Sequence, residues 1–160
     1  MEKVLRAVFK LSAFMQVISG VVLTFIVLLT TADVIMRAFG RPILGTYEIV
    51  AMGSGIVLGF VTPITAWLRG HIFVDVLTKK LPGVGKNAAD IVTRCVGIGI
   101  FLMIGCNVLK IGNTFRTAGE VSNTLQWPMY PIPYAVGFSF FALSLVLVCD
   151  IFKIIGGTYE

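Results

Sequence analysis

The chain has 160 residues, of which 57% are hydrophobic and only 13% are charged, and its mean hydropathy is +0.94. A soluble domain of this length exposes roughly a third of its unfolded surface to water, and too few polar residues are present to cover that surface. The composition therefore argues against a soluble enzyme, a disordered tail and a nucleic-acid binder, despite a net charge of +5, and it predicts a membrane protein.

The first half of the chain contains two uncharged runs that are each long enough to cross a bilayer, at 11–32 and 49–68. A hydrocarbon core about 30 Å thick needs about 20 helical residues. Because lipid offers no partner to backbone N–H and C=O groups, both runs are predicted to be helical. The sequence places the first transmembrane helix at about 11–36 and the second at about 48–68.

The start of the chain is also compatible with a secretory signal peptide, because Lys3, Arg6 and Lys10 precede the first apolar run. That run is longer than the apolar segment of about 7 to 15 residues found in signal peptides. The sequence therefore favours an uncleaved first helix. Amino-terminal sequencing that began at Asp33 would contradict this prediction.

Two further uncharged runs predict the third and fourth transmembrane helices. The run at 95–109 becomes long enough only if the helix extends past the charged residues on both sides, to about 87–113. The run at 121–149 is too long for one helix, and it contains prolines up to Pro133. Since proline is tolerated in the first turn of a helix, the fourth helix is predicted at about 133–153.

The connection between the second and third helices contains a short amphipathic segment, predicted as a helix at about 72–81. Phe73, Val76 and Leu77 share one helical face, and Pro82 ends the segment. This pattern is typical of a helix lying in the membrane interface with its apolar side towards lipid. An ordinary connecting helix is the alternative.

The basic residues predict the orientation of the helices. Nine are assigned to the side of the termini and the central connection: Lys3, Arg6, Lys10, Arg69, Lys79, Lys80, Lys86, Arg94 and Lys153. Four are assigned to the other side: Arg37, Arg41, Lys110 and Arg116. Basic residues are enriched in cytoplasmic loops, so both termini are predicted in the cytoplasm. The fold class is an all-α integral membrane protein with four transmembrane helices.

Charged pairs and small residues give the first candidates for contact sites. Asp33 and Arg37, like Asp90 and Arg94, have the acid four residues before the base, so the members of each pair can meet on one helix face. Asp33 and Arg37 are interpreted as an interfacial pair, with contact to a partner as the alternative.

The second helix carries a small-residue stripe formed by Ala51, Gly55 and Gly59. Small residues let helix backbones approach closely in lipid. The stripe predicts close packing, either within the chain or onto another subunit.

The sequence lacks the residue patterns that are typical of catalytic and cofactor-binding sites. His71 is the only histidine, so the chain cannot supply two histidines to a haem, and Cys95, Cys106 and Cys149 lack metal-binding spacing. No phosphate-binding loop occurs. The sequence predicts no catalytic, cofactor-binding or metal-binding residue. With neither an intramembrane acid cluster nor inverted repeats, the chain is predicted to be a component of a larger assembly rather than a complete transporter.

Three stretches follow one another in the order DVIMRAFGRPILGTYEIV, WLRGHIFVDVLTKKLP and AGEVSNTLQWPMYPIPYAVG. Together they resemble one known family, the small permease subunit of TRAP (tripartite ATP-independent periplasmic) transporters. The residues that match the family pattern are Arg37, Phe39, Pro42, Glu48, Gly70, His71, Ile72, Val74, Asp75, Pro82, Ser122, Trp127, Ile132, Pro133 and Gly137. Tyr47 departs from it, since many members have tryptophan there.

The resemblance implies a noncatalytic subunit of a secondary active importer in the bacterial inner membrane. Such importers use an ion gradient, often of sodium, rather than ATP. The implied partners are a large membrane subunit, a periplasmic substrate-binding protein that docks transiently, and membrane lipids. The candidate interface residues are Arg37, Glu48, Ala51, Gly55, Gly59, His71, Asp75, Glu120, Ser122 and Pro133. The alternative function is an electron-transfer or enzyme subunit whose ligands come from a partner.

Overall fold

The computed structural model describes residues 2–68 and 83–155, which form four helices. These are α1 (Glu2–Ala38), α2 (Thr46–Trp67), α3 (Gly83–Ala118) and α4 (Pro131–Ile155). Each is long and apolar enough to cross a membrane. The described residues contain no strand, only an isolated bridge between Val121 and Pro128. The predicted fold class, an all-α protein with four membrane-spanning helices, is confirmed.

Two helices extend well beyond the apolar runs that predict them. α1 begins at Glu2 and includes Lys10, and α3 begins at Gly83 and continues to Ala118. Hydropathy identifies only the part of a helix that lies in lipid, whereas the backbone hydrogen bonds continue into the flanking polar segments. The predicted interfacial helix at 72–81, together with His71 and Asp75, lies outside the described residues.

The helices pack in the order α1, α2, α4, α3. α1 contacts α2, α2 also contacts α4, and α4 contacts α3, while α1 and α4 meet over a smaller area. The central helix α4 is the most buried of the four, and α3 is the least buried. The connections at 39–45 and 119–130 lie together at one end of the bundle, which we call the loop end. Much of the surface of α1 and α3 is therefore left to lipid or to other proteins.

Small residues allow α2 to approach both of its neighbours. A Cβ atom added to Gly59 would lie 3.0 Å from Ser139 Oγ on α4, and one added to Gly53 would lie 2.6 Å from Ile26 Cδ1 on α1. Gly59 thus serves packing within the chain, one of the two alternatives for the small-residue stripe. A Cβ on Gly55 would make only an ordinary contact of 3.5 Å with Ile132, and Ala51 is exposed.

A buried ion pair joins α3 to α4. Arg94 Nε lies 3.7 Å from Asp150 Oδ2, and the two side chains are 7% and 5% exposed. The sequence counted Arg94 among the basic residues on the side of the termini. The structure buries its side chain between the helices, where Asp150 on the neighbouring helix provides a countercharge. The predicted pairing with Asp90 lies outside the described side chains.

Candidate functional site

The loop end is organised by two carboxylates, the first of which is Asp33 near the end of α1. Asp33 Oδ2 accepts a hydrogen bond of 2.7 Å from an Arg37 guanidinium nitrogen, which confirms the predicted pair. Asp33 Oδ1 accepts a second bond, of 2.8 Å, from the backbone N–H of Ile43. Asp33 is only 5% exposed. It therefore fixes the connection at 39–45 against the helix from which that connection emerges.

The second carboxylate, Glu48 in the first turn of α2, binds the other connection. Glu48 Oε1 accepts a 2.7 Å hydrogen bond from the N–H of Thr124, and Oε2 accepts a 3.1 Å bond from the N–H of Leu125. Hydrogen bonds to an ionised carboxylate are stronger than bonds between neutral groups. One side chain thus joins the α1–α2 connection to the α3–α4 connection. Sequence reasoning selected Glu48 but not its partners, which lie 76 and 77 positions away.

The connection at 119–130 forms a compact turn around Ser122. The N–H of Ser122 donates to Trp127 O at 2.9 Å, and the N–H of Gln126 donates to Ser122 O at 3.2 Å. A further bond of 3.2 Å runs from the N–H of Met129 to Glu120 O. Ser122 is 4% exposed, so its side chain stabilises the turn rather than facing outward. Glu120, by contrast, is exposed at the start of the turn.

An apolar contact completes the junction between the two connections. Leu125 packs over Gly45, and a Cβ atom added to Gly45 would lie 2.5 Å from Leu125 Cγ. Gly45 also has a φ of 81°, in the left-handed region that favours glycine. Together, residues 39–48 and 119–130 form a hydrogen-bonded and packed unit, which we call the loop cap.

Replacing Gly45 with alanine is expected to separate the two parts of the loop cap. Gly40→Ala is the matched control, because Gly40 also has a positive φ of 73° but has open space where a Cβ would be. Left-handed backbone costs alanine about 1–2 kcal/mol at either position. Gly45→Ala adds a clash with Leu125, worth about 1–3 kcal/mol. Thermal unfolding in detergent should therefore show the larger loss of stability for Gly45→Ala; equal losses would contradict the packing.

A cavity of about 330 Å³ lies beneath the loop cap, between α2, the end of α3 and the start of α4. Four predicted site residues line it: Glu48, Ala51, Ser122 and Pro133. The aromatic side chains of Tyr47 and Phe115 also line this cavity.

The other predicted residues are distributed differently. Glu120 is exposed on the loop cap, and Arg37 is exposed beside it at the end of α1. Gly55 and Gly59 lie deeper along α2. The structure thus gathers some of the predicted residues around one cavity and separates the others.

A second recess, which we call the lateral groove, lies on the other side of Met52 and Ile132. Its volume is about 510 Å³. Val22 and Ile26 of α1 form one wall, Ile49 and Ile56 of α2 form another, and Trp127 of the loop cap lies above them. All of the side chains that line the groove are apolar. Sequence reasoning named Trp127 among the residues that match the family pattern but did not predict a groove.

Within residues 2–68 and 83–155, no group of three or more His, Cys, Asp or Glu side chains could hold a metal ion. No disulfide joins the three cysteines, all of which the structure describes; Cys149 is buried, and Cys95 and Cys106 are exposed. The carboxylates of Asp33 and Glu48 are used to hold backbone groups of the loop cap.

Comparison with known proteins identifies one family. The model of the family described as "Tripartite ATP-independent periplasmic transporters, DctQ component" matches residues 26–157. The match covers more than half of the chain and includes all of α2, α3 and α4 and the whole loop cap. No curated protein and no solved structure matches the chain.

Proposed function

Because the chain belongs to the DctQ family of TRAP transporter components, we propose that it is the small membrane subunit of an importer driven by a sodium-ion gradient rather than by ATP. It braces the large membrane subunit and presents the loop cap to a periplasmic substrate-binding protein. The proposal places the chain in the bacterial inner membrane with the loop end in the periplasm. The excess of basic residues on the opposite side supports this orientation.

The bracing role is supported above all by Asn107, an exposed polar residue on the outer helix α3. Gly105 packs on Gly137, and Gly112 packs on Pro133, so Asn107 lies at a depth between those two residues of α4. With a rise of about 1.5 Å per residue, that depth is roughly 3–9 Å inside the first residue of α4. Asn107 therefore lies within the membrane-spanning part of α3.

An exposed amide at that depth is more stable against protein than against lipid, because protein can offer hydrogen-bond partners and lipid tails cannot. Asn107 Nδ2 donates a 3.0 Å hydrogen bond to Met103 O, which uses one of the donors of the side chain. The remaining N–H and carbonyl groups are costly to leave in hydrocarbon, and asparagine commonly forms hydrogen bonds between transmembrane helices. Lys110, nearer the loop end, can extend its ammonium group to the headgroups and so does not require a partner. We place the large subunit against Asn107.

Replacing Asn107 with leucine is expected to weaken assembly with the large subunit. Interhelical hydrogen bonds in membranes contribute about 0.6 kcal/mol on average and up to about 1.7 kcal/mol, so copurification should fall by about 3-fold to 16-fold. Met103→Leu is the matched control, because Met103 is 68% exposed one turn away and carries no hydrogen-bonding amide. Copurification from membranes, quantified against the tagged large subunit, gives the measurement.

The same copurification experiment distinguishes two possible contact surfaces for the large subunit, one on α3 and one on α2. Unchanged assembly of Asn107→Leu, combined with reduced assembly of Ala51→Leu, would move the contact to the exposed start of the small-residue stripe on α2. Specific solute uptake by the purified chain alone in liposomes would contradict the subunit role altogether.

Docking of the substrate-binding protein is proposed at the loop cap. Arg37, whose side chain is 68% exposed, and the exposed Glu120 offer charges of both signs on this surface. Such charges guide association and set its specificity more than its affinity. Asp33 and Glu48 hold the surface that carries them, so less ordering is needed when the partner binds.

A further inference from the structure

We infer that the lateral groove binds one acyl chain of an anionic phospholipid, whose headgroup lies at Arg37. The inference depends only on the chain spanning a membrane and does not depend on its proposed transport role. The groove is lined by apolar side chains, and it runs from Ile49 to Ile56 along α2, which corresponds to roughly 10 Å. In a bilayer, such a recess is filled by a hydrocarbon chain or by protein.

The groove lies at the depth of the lipid leaflet on the loop-end side. Gly53, near its middle, packs against Ile26 and lies about 10 Å below the start of α2. One leaflet contributes about 15 Å of hydrocarbon, half of the core. The groove thus occupies the part of the bilayer where an acyl chain from this leaflet runs.

A positive charge stands above the groove at the height of the headgroups. Arg37 follows Ile26 by eleven positions, close to three turns of α1, so both residues lie on the same helix face roughly 16 Å apart. This distance matches the thickness of one leaflet. One guanidinium nitrogen binds Asp33, but the Arg37 side chain remains 68% exposed and has further N–H donors for a phosphate. The exposed Arg41 adds a second positive charge nearby in the loop cap.

The dimensions of the groove favour an acyl chain over a helix from another subunit. A helix about 10 Å in diameter occupies roughly 800 Å³ over a length of 10 Å, whereas the groove measures about 510 Å³. Trp127, Pro128 and Pro131 also line the groove from the side of the loop cap. A straight helix that continued past the groove would meet these residues, while a flexible acyl chain can enter beside them.

Trp127 provides a direct probe of occupancy. The only other tryptophan, Trp67, packs against Phe9 at the opposite end of the bundle with the two rings tilted, and Trp67→Phe leaves an aromatic ring there. The full chain carrying Trp67→Phe is reconstituted in vesicles with increasing fractions of phosphatidylglycerol or phosphatidylcholine that carry the same brominated acyl chains. A basic residue near an anionic surface favours anionic lipid by about fivefold, so phosphatidylglycerol should quench Trp127 at about a fivefold lower fraction.

Two pairs of variants test the headgroup and the chain separately. Arg37→Gln should remove the preference for phosphatidylglycerol, while Arg37→Lys should retain it. Val22→Phe fills the groove and should reduce quenching by both lipids, whereas Val21→Phe, at a neighbouring position 65% exposed and outside the groove, should not. Equal quenching by the two lipids would overturn the headgroup assignment. Equal behaviour of the two phenylalanine variants would overturn the groove assignment.

A photo-cross-linking residue at position 22 distinguishes lipid from protein in cells that make the complete transporter. The expected product is an adduct of the chain with a phospholipid, seen by mass spectrometry. An adduct with the large subunit would show that protein fills the groove, and it would overturn the inference.

Discussion

Replacing Arg94 with methionine is expected to destabilise the helix bundle by about 3–5 kcal/mol, the usual effect of removing one member of a buried ion pair. Asp150 would then keep a carboxylate that is 5% exposed without the guanidinium that lies 3.7 Å from it in the native chain. The effect should fall on the α3–α4 contact, which the pair joins. Thermal or denaturant unfolding of the purified protein in detergent, followed by circular dichroism, provides the measurement.

A double replacement and a surface control make this prediction specific. Arg94→Met combined with Asp150→Leu should recover most of the lost stability, because buried ion pairs are often replaced by apolar residues at little cost. Arg116→Met removes an exposed positive charge from α3, the same helix, and should change the free energy of unfolding by no more than about 0.5 kcal/mol. Equal effects of Arg94→Met and Arg116→Met would contradict the buried pair, and a double variant as unstable as the single one would contradict its energetic coupling.

Replacing Glu48 with glutamine is expected to release the connection at 119–130 from α2. A carboxylate offers two acceptor oxygens, one for Thr124 N–H and one for Leu125 N–H, whereas glutamine offers one acceptor and places an NH₂ group at the other position. One backbone N–H then faces a donor. Amide exchange at residues 124 and 125 should become about tenfold faster, while exchange in α1 and α4 should stay close to its native rate.

Glu120→Gln is the matched control for Glu48→Gln, because it removes a negative charge from the same connection at an exposed position. It should leave amide exchange at 124 and 125 unchanged. In the complete transporter, a loss of uptake in Glu48→Gln but not in Glu120→Gln would show that the order of the loop cap matters more than its charge. Native exchange rates in Glu48→Gln would contradict the role of this carboxylate as the link between the two connections.

The sequence by itself determined the number and approximate place of the helices. Lipid excludes charged residues and unpaired backbone groups, so an uncharged run of sufficient length is predicted to form a transmembrane helix. The Asp33–Arg37 pair was predictable for a similar reason, because residues four apart on a helix are neighbours whatever surrounds them. The three ordered motifs likewise identified the family that the comparison then matched over residues 26–157.

Only the tertiary structure decided which distant residues meet. Glu48 binds N–H groups more than seventy positions away, Arg94 pairs with Asp150 on another helix, and Gly59 packs on α4 within the chain. These contacts depend on the order of the helices, their relative depth and their rotation about their axes. Hydropathy and local spacing constrain none of these three quantities, because any lipid-facing or protein-facing surface of a transmembrane helix can be equally apolar.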